Sequence, residues 1–209
     1  MRLPSKTLEK SLFDKGYKRI IAVDEVGMGS LAGPVVVCAA SFNKKFFQKK
    51  HKNLYWLRDS KLLLPHQREK FVGELLEERN FDYRIGYCFP KTIDRVNIYQ
   101  AARLAMRRAV SRLNQGRSGN DFILVDGPHE IRGLESKQLP VVKGDRKVFS
   151  IACASLLAKV FRDRMMARYA KRFSDYGFEK HKGYGTKLHR AMLVKHGRSP
   201  IHRSSFKLV

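Results

Sequence analysis

Two adjacent carboxylates, Asp24 and Glu25, close the apolar run Ile20-Ile21-Ala22-Val23, and a glycine-rich stretch from Gly27 through Gly29 to Gly33-Pro34 follows at once. An ionised carboxyl in apolar surroundings costs several kcal/mol unless it is paired, hydrogen-bonded or bound to a metal, so folding alone gives no reason for two there. The glycines leave bare amides beside the acids, which suits a site that brings a phosphate up to a cation. Two further acids sit at similar boundaries. Asp126 ends the run Phe122-Ile123-Leu124-Val125, and Asp145 stands ahead of a long helical pattern. Gathered at strand ends, these four would form a hard, all-oxygen site for Mg²⁺ or Mn²⁺. Singly, Asp126 before Gly127-Pro128 is also a turn former, and Asp145 also suits a helix N-terminus.

The elements that must position these acids are legible from periodicity. Pro4 to Lys18 carries Leu8, Leu12 and Phe13 at helical spacing. Arg19 to Asp24 and Val35 to Phe42 read as two strands pairing antiparallel around the glycine turn. Neighbouring residues on a strand face opposite ways, so Asp24 and Glu25 share a site only if the strand ends or bends, which Val26-Gly27 allows. Further on, a helix is expected from Pro65 to Glu78, a strand from Phe81 to Tyr87, one long helix from Thr92 to Leu113, a strand from Phe122 to Val125 and a helix from about Ser150 to Tyr169. This order implies an α/β sandwich, a mixed sheet flanked by helices, with a helical C-terminal end.

Composition narrows the partner. With 43 Lys+Arg against 19 Asp+Glu the chain carries a formal charge of +24 over 209 residues, which favours nucleic acid bound in a salt-dependent way. From Phe161 onward there are thirteen Lys+Arg against three acids, either a basic arm over a substrate groove or a solvated helical face. No apolar stretch nears the roughly 20 residues of a membrane span, and the first 19 residues lack a signal peptide's apolar core, so no membrane association and a cytoplasmic location are expected. The three cysteines, Cys38, Cys88 and Cys153, are too few and too scattered for a disulfide framework.

Other chemistries fit less well. Gly27-Met28-Gly29-Ser30-Leu31-Ala32 formally matches a dinucleotide-binding GxGxxA, but it runs into Pro34 and a Val-rich strand, and no acid lies between Glu25 and Asp59 to hold a ribose. No Walker-type loop occurs. His181, His189, His196 and His202 match no common zinc spacing and read as surface or phosphate-contacting residues.

A set of motifs, in order, resembles ribonuclease HII: Val23-Asp24-Glu25-Val26-Gly27-Met28-Gly29-Ser30-Leu31-Ala32-Gly33-Pro34, Asp59-Ser60-Lys61, Ile93-Asp94-Arg95-Val96-Asn97-Ile98, Val125-Asp126-Gly127 and Val142-Lys143-Gly144-Asp145. The helix Ile151 to Asp163, the loop His181-Lys182-Gly183-Tyr184-Gly185-Thr186 and the ending His202-Arg203-Ser204-Ser205-Phe206 continue it, so the resemblance runs from about Ile20 to Phe206. It implies an RNase H-like fold, with residues 1–160 as catalytic core and 161–209 as a basic, mainly helical region beside the substrate groove.

The resemblance further implies a metal-dependent endonuclease. Such an enzyme hydrolyses the RNA strand of RNA/DNA hybrids and nicks duplex DNA 5′ to an embedded ribonucleotide, leaving 5′-phosphate and 3′-hydroxyl ends. Asp24, Glu25, Asp126 and Asp145 would be its catalytic and metal-binding residues, with Mg²⁺ or Mn²⁺ in a two-metal mechanism. Gly27 and Gly29 would contact the 2′-hydroxyl, Tyr184 would pack on the neighbouring sugar, and Ser60 and Lys61 would contact phosphate. Its partners would be RNA/DNA hybrid and ribonucleotide-containing duplex DNA, and a monomer is expected. Met28 stands where the family usually has Arg, which implies more tolerant junction binding, by about 1–3 kcal/mol. A ribonuclease HIII-like substrate preference, or a non-catalytic basic nucleic-acid-binding module, are the alternatives.

Overall fold

The computed structural model describes residues 3–51, 54, 57, 60, 63–115 and 119–207. Five strands form one sheet in the order β3-β2-β1-β4-β5, with β1 at Arg19–Val26, β2 at Val35–Asn43, β3 at Phe81–Cys88, β4 at Asp121–Asp126 and β5 at Lys137–Val141. β1 pairs antiparallel with β2, and β2 with β3. On the other side β1 runs parallel to β4, and β4 to β5. The sheet is therefore mixed, with helices on both faces, as expected.

Side-chain alternation divides β1 between two cores. Ile20 and Ala22 face α7 (Phe149–Arg172), together with Cys38, Ala40, Phe42 and Leu124. Ile21 and Val23 face α5 (Ile98–Asn114), together with Val35, Val37, Ala39, Ile123 and Val125. The centre of the sheet is covered on both sides, which is why β2 is an almost unbroken run of buried Val, Ala and Cys. All three cysteines are buried and free. Among the described residues no helix is long and apolar enough to cross a membrane.

Remaining helices are α1 (Thr7–Asp14), α2 (Lys44–Gln48), α3 (Pro65–Leu76), α4 (Pro90–Val96), α6 (Gly144–Lys147), α8 (Phe178–His181) and α9 (Lys187–His196). One expectation needs correction: the helix read as continuous from Thr92 to Leu113 is two. Asn97 takes a left-handed φ of 66° between α4 and α5, and its side-chain oxygen accepts the Gln100 amide, capping the second helix. Helix α7 begins with no side-chain cap of its own; Glu9 of α1 accepts the Ser150 amide from 141 residues away.

Candidate active site

Pairing between β1 and β4 stops at Val23 opposite Val125. One step beyond lie Asp24 and Asp126, where the two parallel strands release their carboxyl ends, the place where open α/β sheets bind ligands. Asp24 and Glu25 point to opposite faces in the strand, yet both border the cavity because β1 ends at Val26 and the chain turns at Gly27. Asp126 accepts the Gly144 amide at 2.6 Å, which draws the start of α6 against β4 and delivers Asp145, buried in that helix's first turn.

The result is one cavity of about 380 Å³ bordered by all four acids. Gly27, Met28 and Gly29 form one wall, and Ser60, Ser155, Lys159 and Tyr184 complete the lining. Of the residues expected from sequence, Asp24, Glu25, Asp126, Asp145, Gly27, Gly29, Ser60 and Tyr184 thus meet here, whereas Lys61 lies outside the described residues. Ser155 and Lys159 were not singled out from sequence. They sit four apart on α7, where a hydroxyl inside the apolar run Ile151 to Leu157 is the one signal that marks that face.

Asp24 is 4 % exposed. Its carboxyl is held well above the usual range, first by burial and then by repulsion from Glu25 and Asp126, while bonds from Ser155 and the Glu25 amide oppose the shift. Ser155 also bonds Ser60, 3.2 Å between hydroxyl oxygens. Among the described residues no three acid, histidine or cysteine side chains are already drawn together as a metal shell. The donor set nevertheless fits a hard divalent cation: the ligands are all oxygen, and a desolvated carboxylate crowded by its own sign is relieved by a cation.

Glycine roles separate here. Gly27 has φ +96°, and a Cβ there would lie 2.4 Å from Arg162 Nε and 2.9 Å from the Pro34 carbonyl. Gly29 has open space around it. Met28 is half-buried and packs against the α5 core.

Three of the four histidines read as surface residues are buried. His189 Nδ1 donates to the Tyr184 carbonyl at 3.0 Å, so its Nε2 accepts; His202 Nε2 donates to it at 2.9 Å, and His202 Nδ1 accepts the Ser199 amide at 2.8 Å. His181 stacks on His189 with ring centres 4.3 Å apart. His181 Nε2 donates to the Tyr176 carbonyl at 2.8 Å and its Nδ1 accepts the Gly183 amide, so every ring nitrogen of the three is engaged within the protein, which is why phosphate contact is not open to them.

The family model of ribonuclease HII matches residues 21–209. The chain belongs to the ribonuclease HII family. A ribonuclease HII of Caldicellulosiruptor saccharolyticus is 43 % identical over 199 residues, 95 % of this chain and 92 % of that one. Another from Fusobacterium nucleatum is 45 % identical over 197 residues, 93 % and 88 % of the two chains. Among solved structures, ribonuclease H2 from Pyrococcus horikoshii OT3 superposes with a TM-score of 0.70 at 25 % identity, covering 91 % of this chain and 94 % of that one. Membership makes this ribonuclease HII-family protein a nuclease of the ribonuclease H type, a hydrolase with an RNase H-like fold.

Proposed function

We propose that this enzyme uses a divalent cation, Mg²⁺ or Mn²⁺, to hydrolyse the RNA strand of RNA/DNA hybrids and to nick duplex DNA on the 5′ side of an embedded ribonucleotide. The observation that carries the reading is the convergence of Asp24, Glu25, Asp126 and Asp145 on one cavity beside the exposed Gly29. The acids would hold the cation or a cation pair. When bound, it would supply Lewis acidity at the scissile phosphate and favour ionisation of the attacking water.

The chain's own groups do the rest. Asp24 is fixed by its bonds from Ser155 and the Glu25 amide, and Asp126 by the Gly144 amide, so the carboxylates are presented with little freedom. Open backbone at Gly29 lets a sugar edge approach, and backbone groups of Gly27 and Gly29 would sense the 2′-hydroxyl that separates a ribonucleotide from its neighbours. Tyr184 would pack on the adjoining sugar, while Lys159 in the cavity wall, with Ser60 and Lys61, would meet phosphate. In the net reaction water's oxygen joins phosphorus, the bond to the 3′-oxygen breaks, and 5′-phosphate and 3′-hydroxyl ends remain.

A duplex with one ribonucleotide, incubated with Mg²⁺ or Mn²⁺ and again with chelator, is the direct test. Metal-dependent nicking 5′ to the ribose is expected; binding without cleavage would leave only a nucleic-acid-binding module. Asp126→Asn keeps an oxygen for the Gly144 amide but loses the charge, so it should abolish cutting while duplex binding survives. Full activity in that variant would remove Asp126 from the site.

A further inference from the structure

Two arginines with fully buried side chains, Arg162 of α7 and Arg203 of the C-terminal segment, sit behind the glycine wall of the cavity. Among the described residues neither meets a carboxylate at ion-pair distance; all but one of their side-chain hydrogen bonds go to the 27–34 loop. Arg203 donates to the carbonyls of Gly27 at 2.6 Å, Met28 at 2.9 Å and Gly33 at 3.1 Å. Arg162 donates to Pro34 at 2.9 Å, Ala32 at 3.1 Å and the Ser30 hydroxyl at 2.9 Å, and reaches Lys182 beside Tyr184 at 3.0 Å. The Arg203 amide takes the Leu31 carbonyl at 2.9 Å.

This bonding fixes a direction. With the Gly27 and Met28 carbonyls drawn to Arg203, the amides across those two peptide planes, of Met28 and Gly29, are turned away from the guanidinium and meet no acceptor among the described residues, and both residues border the cavity. Burying a guanidinium without a carboxylate is costly, and an apolar side chain of similar volume would fill the space at less expense. Packing therefore does not account for two of them. A planar fork with five donors does, because it is the one side chain able to gather several carbonyls at fixed angles. Burial and the neighbouring Arg162 bring the Arg203 guanidinium down to about 9, which leaves it charged at neutral pH.

We propose that Arg162 and Arg203 are positioning residues for ribose recognition: Arg203, by holding the Gly27 and Met28 carbonyls inward, aims the Met28 and Gly29 amides at the sugar, Arg162 fixes the rest of the 27–34 loop behind them, and together they set the preference for ribonucleotide over deoxyribonucleotide. The inference rests on the substrate reading above and adds the residues that make the loop selective.

The test is equilibrium binding in chelator, so that no chemistry intervenes, of two duplexes alike except that one carries a single ribonucleotide. Arg203→Lys keeps the charge but not the fork. It should retain affinity for the all-DNA duplex and lose at least about tenfold of the wild-type preference for the ribonucleotide, the worth of a bond to a charged group. Ser30→Ala removes one acceptor of Arg162 and no charge, and gives a smaller loss in the same direction even if the lysine variant folds poorly. A variant that melts at lower temperature yet keeps the wild-type preference ratio below its melting point would overturn the proposal, since that is what a purely structural role gives. If the wild-type protein itself binds both duplexes equally, the substrate reading fails first and this inference falls with it; a preference in wild type that is unmoved by either variant rejects the arginines alone.

Discussion

Gly27 and Gly29 stand two residues apart and answer to different demands. At Gly27 a methyl group would meet Arg162 and the Pro34 carbonyl on a backbone already in the left-handed region. Gly27→Ala should therefore cost more than about 1 kcal/mol of stability, seen as a lower melting temperature. Gly29→Ala meets nothing, so stability should stay within about 1 kcal/mol of wild type while nicking at a ribonucleotide falls, because the methyl occupies the approach to the sugar. A fully active Gly29→Ala, or a Gly27→Ala as stable as wild type, would contradict this division. The four acids were legible in the sequence because a carboxylate ending an apolar run has few structural excuses. Arg162 and Arg203 were not. They lie in a stretch whose thirteen cations read as a basic arm over a groove or a solvated helical face, and nothing local reveals that these two turn inward toward a loop more than 120 residues earlier.

At the scale of elements, periodicity located β1, β2, β3, α3 and α7 to within a few residues and missed features set by single side chains or by the sheet's edge. The break at Asn97 depends on one residue's tolerance of positive φ. Strand β5, Lys137–Val141, contains Pro140 and lies at an edge, so no alternation marks it. The Tyr184 loop and α9 are joined by the histidine chain, where burial and then the neighbouring His189 lower His202 to about 4; His181 and Arg198 add to the same field. The unfolded chain binds this proton near pH 6.5 and the folded one only near 4. Stability from the cluster is thus complete above about 6.5 and lost as pH falls toward 4. Urea midpoints between pH 7.5 and 4.5 should drop in the wild type and less in His202→Gln; equal slopes would exclude His202 as the source.

For the molecule as a whole, a formal +24 surrounds a cleft built from acids. Two cavities adjoin it: one shares Lys159 and is bordered by Arg68, Arg164, Lys180 and Lys182 against Glu69, Asp163 and Glu179, the other shares Glu25, Met28 and Asp126. A duplex following this path would release counterions at each phosphate met. With roughly six phosphate contacts, log K against log salt should have a slope near about −5 for all-DNA and ribonucleotide duplexes alike. A slope near zero would place the basic surface away from the bound strand. Basic character was readable from composition, but its gathering beside the acids on the Lys159 side was not, since Arg68 and Lys180 meet only in the folded chain.

Residues 3–18 lie upstream of the stretch that matches the family model, yet Glu9 there satisfies the amide of Ser150, and Ser5 bridges to Val148. The helix bearing Ser155, Lys159 and Arg162 is thus plugged at its N-terminal end by a piece of chain the family signature does not contain. Trimming the protein to its signature would uncork the beam from which the catalytic wall hangs.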